Sequence, residues 1–247
     1  MDRMLYLAMS GASHSMKAQA VNANNLANAN TTSFRADLAA FQSVEVEGTG
    51  HNSRVYSVAR ENGVDLSHGP VITTGRELDV SINGDGWFAL QTADGGEGFT
   101  RAGNLRLTST GQLVTDRDQP VLGNSGLPIL IPPSEKIEIA TDGTVSARPV
   151  GQTVSTLVVI DRIKMVNPDP TTLQKGNDGV MRLNDGSISV ADASVTLSSG
   201  TLESSNVNAV DSMVNMISLA RQFEMDVKMM KTAEDNDRAS AQLLKMS

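Results

Sequence analysis

The chain has no cysteine among its 247 residues, which removes disulfide scaffolds, thiolate metal sites, iron–sulfur ligation and thiol nucleophiles together. Aromatic residues are almost as scarce, with one Trp, two Tyr and five Phe. Positive charge is also short: 20 Lys and Arg against 28 Asp and Glu leave −8, which repels a phosphate backbone and argues against a nucleic-acid partner. No apolar run approaches the roughly 20 residues of a membrane helix, the longest candidate being interrupted by Asp161, Arg162 and Lys164, so no membrane insertion is expected. The start, Met1 to Met9, carries Asp2 and Arg3 ahead of a short apolar run and lacks the three-part pattern of a secretory signal. Export, if it occurs, is expected by another route.

Proline and glycine are unevenly spread, and their distribution divides the chain. Residues 1 to 35 contain no Pro and a single Gly, at position 11, while Leu5, Ala8, Ala12, Met16, Ala20 and Ala23 or Ala27 recur at steps of three or four. This spacing predicts one amphipathic helix. Residues 206 to 245 lack both breakers and set Met213, Ile217, Ala220, Phe223, Val227 and Met230 at the same steps, which predicts a longer helix. All eight Pro and the other 20 Gly lie between, separating short alternating runs such as Leu78, Val80 and Ile82. Asn83-Gly84-Asp85-Gly86, Asp94-Gly95-Gly96, Asp142-Gly143 and Asn184-Asp185-Gly186 read as tight turns. Candidate strands are Trp87–Gln91, Leu105–Thr108, Leu113–Thr115, Ile129–Ile131, Ile137–Ile139 and Thr156–Ile160.

The expected architecture is therefore mixed α and β, with N- and C-terminal coiled-coil-like helices flanking an inserted all-β central domain. Its divisions are a helix at 1–35, an extended connector at 36–69 that orders against something else, the β domain at 70–200 and a helix at 201–247. Met216, Leu219, Met225 and Met229 fall outside the main stripe of the second helix. A helix that is apolar on more than one face needs several neighbours, and Ala with Met suits close, irregular packing between helices. Association with other chains and a monomer with its helices packed on its sheet both satisfy this pattern.

Little supports catalysis. His14, His51 and His68 stand in three different contexts, so a shared metal site would need an improbable convergence, and none is expected. Asp116-Arg117-Asp118 reads as a turn and Asp235-Asn236-Asp237 as a charged helical face. Gly84-Asp85-Gly86 lacks a third Gly and leads into a strand, which fails the dinucleotide pattern, and no cofactor is expected. A β-rich carbohydrate-active enzyme would want exposed aromatics, whereas Trp87 lies in a strand pattern that suggests core.

One run is more specific than composition. Asn22-Ala23-Asn24-Asn25-Leu26-Ala27-Asn28-Ala29-Asn30-Thr31-Thr32-Ser33-Phe34-Arg35 resembles the N-terminal signature of the flagellar rod and hook axial proteins. The likeness continues at Leu78 to Phe88, Phe99-Thr100-Arg101-Ala102-Gly103-Asn104 and Gly111 to Thr115, and ends at Leu202-Glu203-Ser204-Ser205-Asn206-Val207-Asn208 with Arg221, Phe223-Glu224, Lys228 and Thr232. The opening Met1 to Tyr6, Phe223-Glu224-Met225 and the closing Leu243 to Ser247 are similar to the proximal rod members, with a distal rod or hook axial protein as the alternative. Ser33 departs from the Gly common in the family, which bears on a turn needing positive φ.

The resemblance implies a structural subunit of the periplasm-spanning rod, with terminal helices packed among neighbouring rod subunits, copies of itself included. It also implies export by the flagellar type III apparatus without a cleaved signal peptide. The positions it marks as subunit interface are Leu5, Ala8, Ala12, Met16, Asn24, Asn25, Leu26, Asn28 and Phe34 at one end. At the other they are Asn206, Met213, Ile217, Ala220, Phe223, Val227 and Met230.

Overall fold

A computed structural model describes residues 2–39, 41–45, 55–59, 63–151 and 157–245. His51 and Thr156 fall outside them. The described residues form two long terminal helices and a set of antiparallel β-ladders, divided into two compact units. One unit comprises residues 1–29, 36–65 and 207–247; the other comprises 30–35 and 66–206.

In the first unit, helix α1 spans Asp2–Ala27 and helix α2 spans Ala209–Lys245. At ~1.5 Å per residue these are about 39 and 55 Å long. Asn208 caps α2, its Oδ1 accepting from the amides of Val210 at 3.0 Å and Asp211 at 3.4 Å, and the Asp211 charge suits a helix N-terminus. α1 stops in the Asn-rich run, where Asn28 donates its amide to the carbonyls of both Asn24 and Asn25 at 3.1 Å, tightening the last turn. The segment between 36 and 65 pairs antiparallel, Asp37–Leu38 with Gly63–Val64 and Phe41–Glu45 with Val55–Ala59.

α1 and α2 pack antiparallel: Asn22 Nδ2 donates to the Ser212 carbonyl at 2.7 Å, whereas Ser15 Oγ donates to Asp226 Oδ2 at 3.4 Å. On α1 the buried face is Ala8, Ala12 and Ser15. On α2, Ser212, Asp226 and Ala233 are buried and Met216, Leu219, Phe223 and Met230 half-buried between them. These α2 positions advance by alternating steps of four and three, the spacing of a two-helix seam. The α1 side of the seam is lined by small and polar groups, and Gly11 shows why: a Cβ there would lie 3.0 Å from Asp226 Oδ1. Small residues on α1 bring the axes close, and while Met216, Leu219, Phe223 and Met230 share the seam, Met213, Ile217 and Val227 are left on other faces of α2.

In the second unit a five-stranded antiparallel sheet runs in the order Met165–Val166, Trp87–Gln91, Glu97–Thr100, Met181–Leu183, Leu173–Lys175. A three-stranded sheet joins Ser134–Ile139, Thr144–Pro149 and Val158–Arg162. Val80–Asn83 pairs with Thr196–Ser199, Val71–Thr73 with Thr201–Glu203, and Arg106–Leu107 with Leu113–Val114. Ile129 and Ile131 are buried, but only an isolated bridge from Leu130 to Gln112 represents the strand expected there.

Both faces of Trp87–Gln91 are covered. Phe88 enters a core with Val80, Leu105, Leu113, Val145, Ile163 and Leu197, while Trp87 and Ala89 join Phe99, Leu122, Val166 and Met181 on the other side. Asp79 and Ser81, which alternate with Val80 and Ile82, are buried too: Ser81 Oγ meets Thr201 Oγ1 at 2.7 Å, and Asp79 Oδ2 accepts from Thr74 Oγ1 at 2.7 Å while its Oδ1 lies 3.3 Å from Arg76 Nε.

Candidate functional site

Four of the sequence motifs converge on one carboxylate in the β unit. Glu203, at the end of the Thr201–Glu203 strand, is 2 % exposed. Its Oε1 lies 2.6 Å from Arg35 Nη2, and its Oε2 lies 2.7 Å from Arg101 Nε. Oε1 also accepts the Gly69 amide at 2.9 Å. Arg101 extends further, donating to the carbonyls of Gly86 at 2.8 Å, Gly84 at 2.9 Å and Ile82 at 3.3 Å, so the turn after Val80–Asn83 closes around its guanidinium. The Cζ atoms of Arg35 and Arg101 each lie 6.0 Å from the centroid of Trp87, a cation–π distance for both.

The backbone around the trio is stitched by the same residues. Ser33 donates its amide to the Glu203 carbonyl at 2.9 Å, and its Oγ reaches the carbonyls of Arg101 at 2.7 Å and Glu203 at 3.2 Å. The Asn206 amide donates to the Phe34 carbonyl at 3.2 Å, and Lys175 Nζ donates to the Arg35 carbonyl at 2.8 Å while standing 4.2 Å from the Phe34 ring centroid. Ser33 has φ +54, the left-handed conformation for which Gly is usual. Its hydroxyl and amide bonds hold it there. Gly69 is required by space: a Cβ would fall 2.1 Å from the Ser204 carbonyl oxygen.

Burial alone would push the Glu203 carboxyl up, but Arg101 and Arg35 outweigh it and hold the group below its ordinary value. Burial pulls the Arg101 guanidinium down from its ordinary value, against the opposing pull of Glu203. Two cations around one buried carboxylate contribute little net stability relative to an apolar core, yet they penalise any arrangement that separates them. The trio specifies geometry and offers no nucleophile or proton relay. The sequence displays all three residues inside its motifs, but nothing in spacing alone links Arg35, Arg101 and Glu203 to one another.

The other marked positions are distributed as follows. Ala8 and Ala12 lie in the α1–α2 seam of their own chain, with Ala220, Phe223 and Met230 half-buried. Leu5 and Met16 on α1, and Met213 at 54 %, Ile217 at 56 % and Val227 at 42 % on α2, are exposed. The stripe legible in apolarity is thus rotated from the seam the chain makes with itself, which follows Ser212, Met216, Leu219, Phe223 and Asp226. Met4, Tyr6, Leu7, Met9, Val210, Val214, Met225 and Met229 extend the exposed apolar surface. Asn25 pairs with the Asp37 backbone in both directions, Nδ2 to the carbonyl at 2.8 Å and amide to Oδ1 at 2.9 Å, as a neighbouring strand would. Asn24 is exposed, and its carbonyl accepts Asn28 Nδ2 at 2.9 Å; Leu26 is half-buried. Phe34 and Asn206 belong with the Glu203 cluster, and Asn206 Nδ2 also donates to the Ser67 carbonyl at 3.2 Å.

His14 sits on α1 beside Ser10 Oγ at 3.2 Å, and His68 in the β unit contacts Asp85 Oδ1 at 3.1 Å. Among the described residues no group of three or more His, Cys, Asp or Glu is placed to hold a metal ion, and no helix is long and apolar enough to cross a membrane. Trp87 is buried core.

Comparison with known proteins follows the same three segments. Residues 5–35 match the family described as Flagella basal body rod protein, 81–147 the Flagellar hook protein FlgE/F/G D1 domain, and 198–243 the Flagellar basal body rod FlgEFG protein C-terminal family. Each segment holds one member of the trio: Arg35, Arg101 and Glu203. Over 253 aligned residues covering 100 % of both chains, the protein is 44 % identical to flagellar basal-body rod protein FlgF of Escherichia coli (strain K12) and 42 % identical to that of Salmonella typhimurium (strain LT2). It is 32 % identical to FlgF of Caulobacter vibrioides over 99 % of this chain and 98 % of the relative. Fold, motif positions and end-to-end similarity agree, and the chain belongs to the flagellar basal-body rod protein family.

Proposed function

We propose that this protein is a structural subunit of the proximal part of the bacterial flagellar rod, held among neighbouring axial subunits by the faces of α1 and α2 that its own seam leaves uncovered. The observation that carries this reading is the exposed apolar surface of Met213, Ile217 and Val227 on a helix already paired with α1. Covering a large apolar side chain fully is worth about 1.5–3 kcal/mol, so hiding the open half of each contributes on the order of 1 kcal/mol per residue. Repeated over many subunits, such modest faces suffice for a stable filament, while a free subunit in dilute solution remains monomeric.

The neighbours in this reading are other flagellar axial proteins, including copies of this chain, and the chain reaches them through the flagellum's own type III export apparatus. The Glu203 cluster serves the same end by fixing the β unit in one arrangement. The test is complementation: cells lacking this chain should be non-motile and yield basal bodies without a complete rod. Restoring the intact chain should return it to purified rods. Motile cells with complete rods in its absence would reject the assignment.

A further inference from the structure

The α1–α2 seam contains a carboxylate with no cation. Asp226 is 7 % exposed and sits over Gly11. Its hydrogen bond is the long one from Ser15 Oγ at 3.4 Å, and among the described residues no Lys, Arg or His pairs with it. A charge held this far from water is costly unless a counter-charge reaches it. Asp226 also lines a groove of about 620 Å³ along α2, whose other walls are Ser218, Gln222, Met225, Lys228 and Met229. The open surface of the groove is mostly apolar, and its two charged walls are Asp226 and Lys228, which stand two residues apart on one helix and so do not face each other.

A complementary surface lies on the other side of α1. Met9, Ser13, Met16, Lys17 and Ala20 are all exposed and follow one another at helical spacing. Lys17 has no ion pair among the described residues. It cannot turn to the Asp226 of its own chain. Ser15, which faces Asp226, is two residues away, and at ~100° per residue Lys17 points about 200° round the helix.

We propose that α1 of a second copy of this chain lays its Met9 to Ala20 face along the α2 groove and seats Lys17 against Asp226. The small side chains of Ser13 and Ala20 let the helix axes approach, the Met side chains fill the groove, and the Lys stem carries its ammonium to the buried carboxylate. Knob and hole occupy different faces of one helix pair, so the contact is head-to-tail: each copy that docks presents a fresh groove to the next, as a helical tube requires and an isologous dimer does not.

The inference rests on the rod reading above, and the test separates the two. The protein has no native cysteine. A full-length chain carrying Met16→Cys and Gln222→Cys should give, in oxidised basal bodies, a ladder of dimers and higher oligomers of this chain. Either substitution alone should give none. Rods that contain the double variant in normal amount but yield no ladder would overturn the proposal while leaving the rod assignment standing. If even the unmodified chain is absent from rods, the reading beneath the proposal falls with it. In parallel, Lys17→Glu should lower incorporation about tenfold with helix content unchanged, because it sets two carboxylates against each other at a buried site, and Lys17→Arg should preserve it. Equal incorporation of Lys17→Glu would contradict the Lys17–Asp226 contact.

Discussion

Arg35 Nη2 lies 2.6 Å from Glu203 Oε1, joining the segment that follows α1 in sequence to the one that precedes α2. Arg101 takes the other carboxylate oxygen at 2.7 Å. Glu203→Gln leaves two guanidinium groups buried without a counter-charge, and breaking a buried pair in this way costs about 3–5 kcal/mol. In a unit of this size that lowers the melting temperature by roughly 10 °C. Calorimetry of the variant checks it, and a shift below about 2 °C would show that the trio is not under the constraint its burial implies.

The pH dependence has a definite sign. Burial raises the Glu203 carboxyl, but Arg101 and Arg35 more than reverse this and lower it, so the unfolded chain takes up the proton at higher pH than the folded one. The contribution is fully present above the ordinary value of 4.5 and is lost as pH falls through the lowered folded value. Denaturant unfolding at pH 7 and at successive values below 4.5 should show the gap between wild type and Glu203→Gln narrowing on acidification. A gap that stays constant would place the linkage elsewhere.

Ser33 combines a strained backbone with useful bonds. Its positive φ costs about 1–2 kcal/mol, and the Oγ bonds to the Arg101 and Glu203 carbonyls offset this by about 0.5–1.5 kcal/mol each at most. Ser33→Ala keeps the strain and loses both bonds, for an expected loss of about 1–2 kcal/mol. Ser33→Gly loses the bonds but removes the strain, and should fall within about 1 kcal/mol of wild type. The order Gly above Ala in thermal stability is the check, and the reverse order would mean that the backbone there is unstrained.

Ile217 and Val227 are exposed on α2, so Ile217→Asp with Val227→Asp should change the stability of the free chain by no more than about 1 kcal/mol. The same double variant should fail to enter rods and abolish swimming, because each carboxylate would have to be desolvated on assembly. Soft-agar motility with circular dichroism of the purified chain separates the two effects. Normal swimming would remove these residues from the interface.

What the sequence makes legible in this fold is what repeats. Helical spacing marks α1 and α2, glycine and proline mark the β unit, and the run Trp87–Gln91 stands out as a strand because both of its faces are apolar. The α1–α2 seam is harder to read. Close helix packing selects Gly11, Ser15, Ser212 and Asp226 beside Ala8 and Ala12, and a search for apolar stripes finds the two Ala but passes over the other four, going instead to Met213, Ile217 and Val227 on the exposed side. Ile129–Ile131 misleads for a related reason: two buried Ile satisfy a core without a ladder. The Glu203 cluster is visible as motifs but not as a cluster, since its members come from three separate segments and meet only through long-range contacts such as the Ser33 bonds to the Glu203 and Arg101 carbonyls. Ser33 is legible as an exception, and its bonds explain why the exception is tolerated.

The most direct measurement is thiol labelling at one exposed helical position in the free and assembled states. Met213→Cys introduces the sole thiol of the chain. It should react in the free subunit at the rate of an accessible thiol, and at least about tenfold more slowly in intact basal bodies, with the fast rate recovered when the rods are dissociated. Equal rates in the free chain and in intact rods would show that this face of α2 stays open to water after assembly, contrary to the account given for these helices.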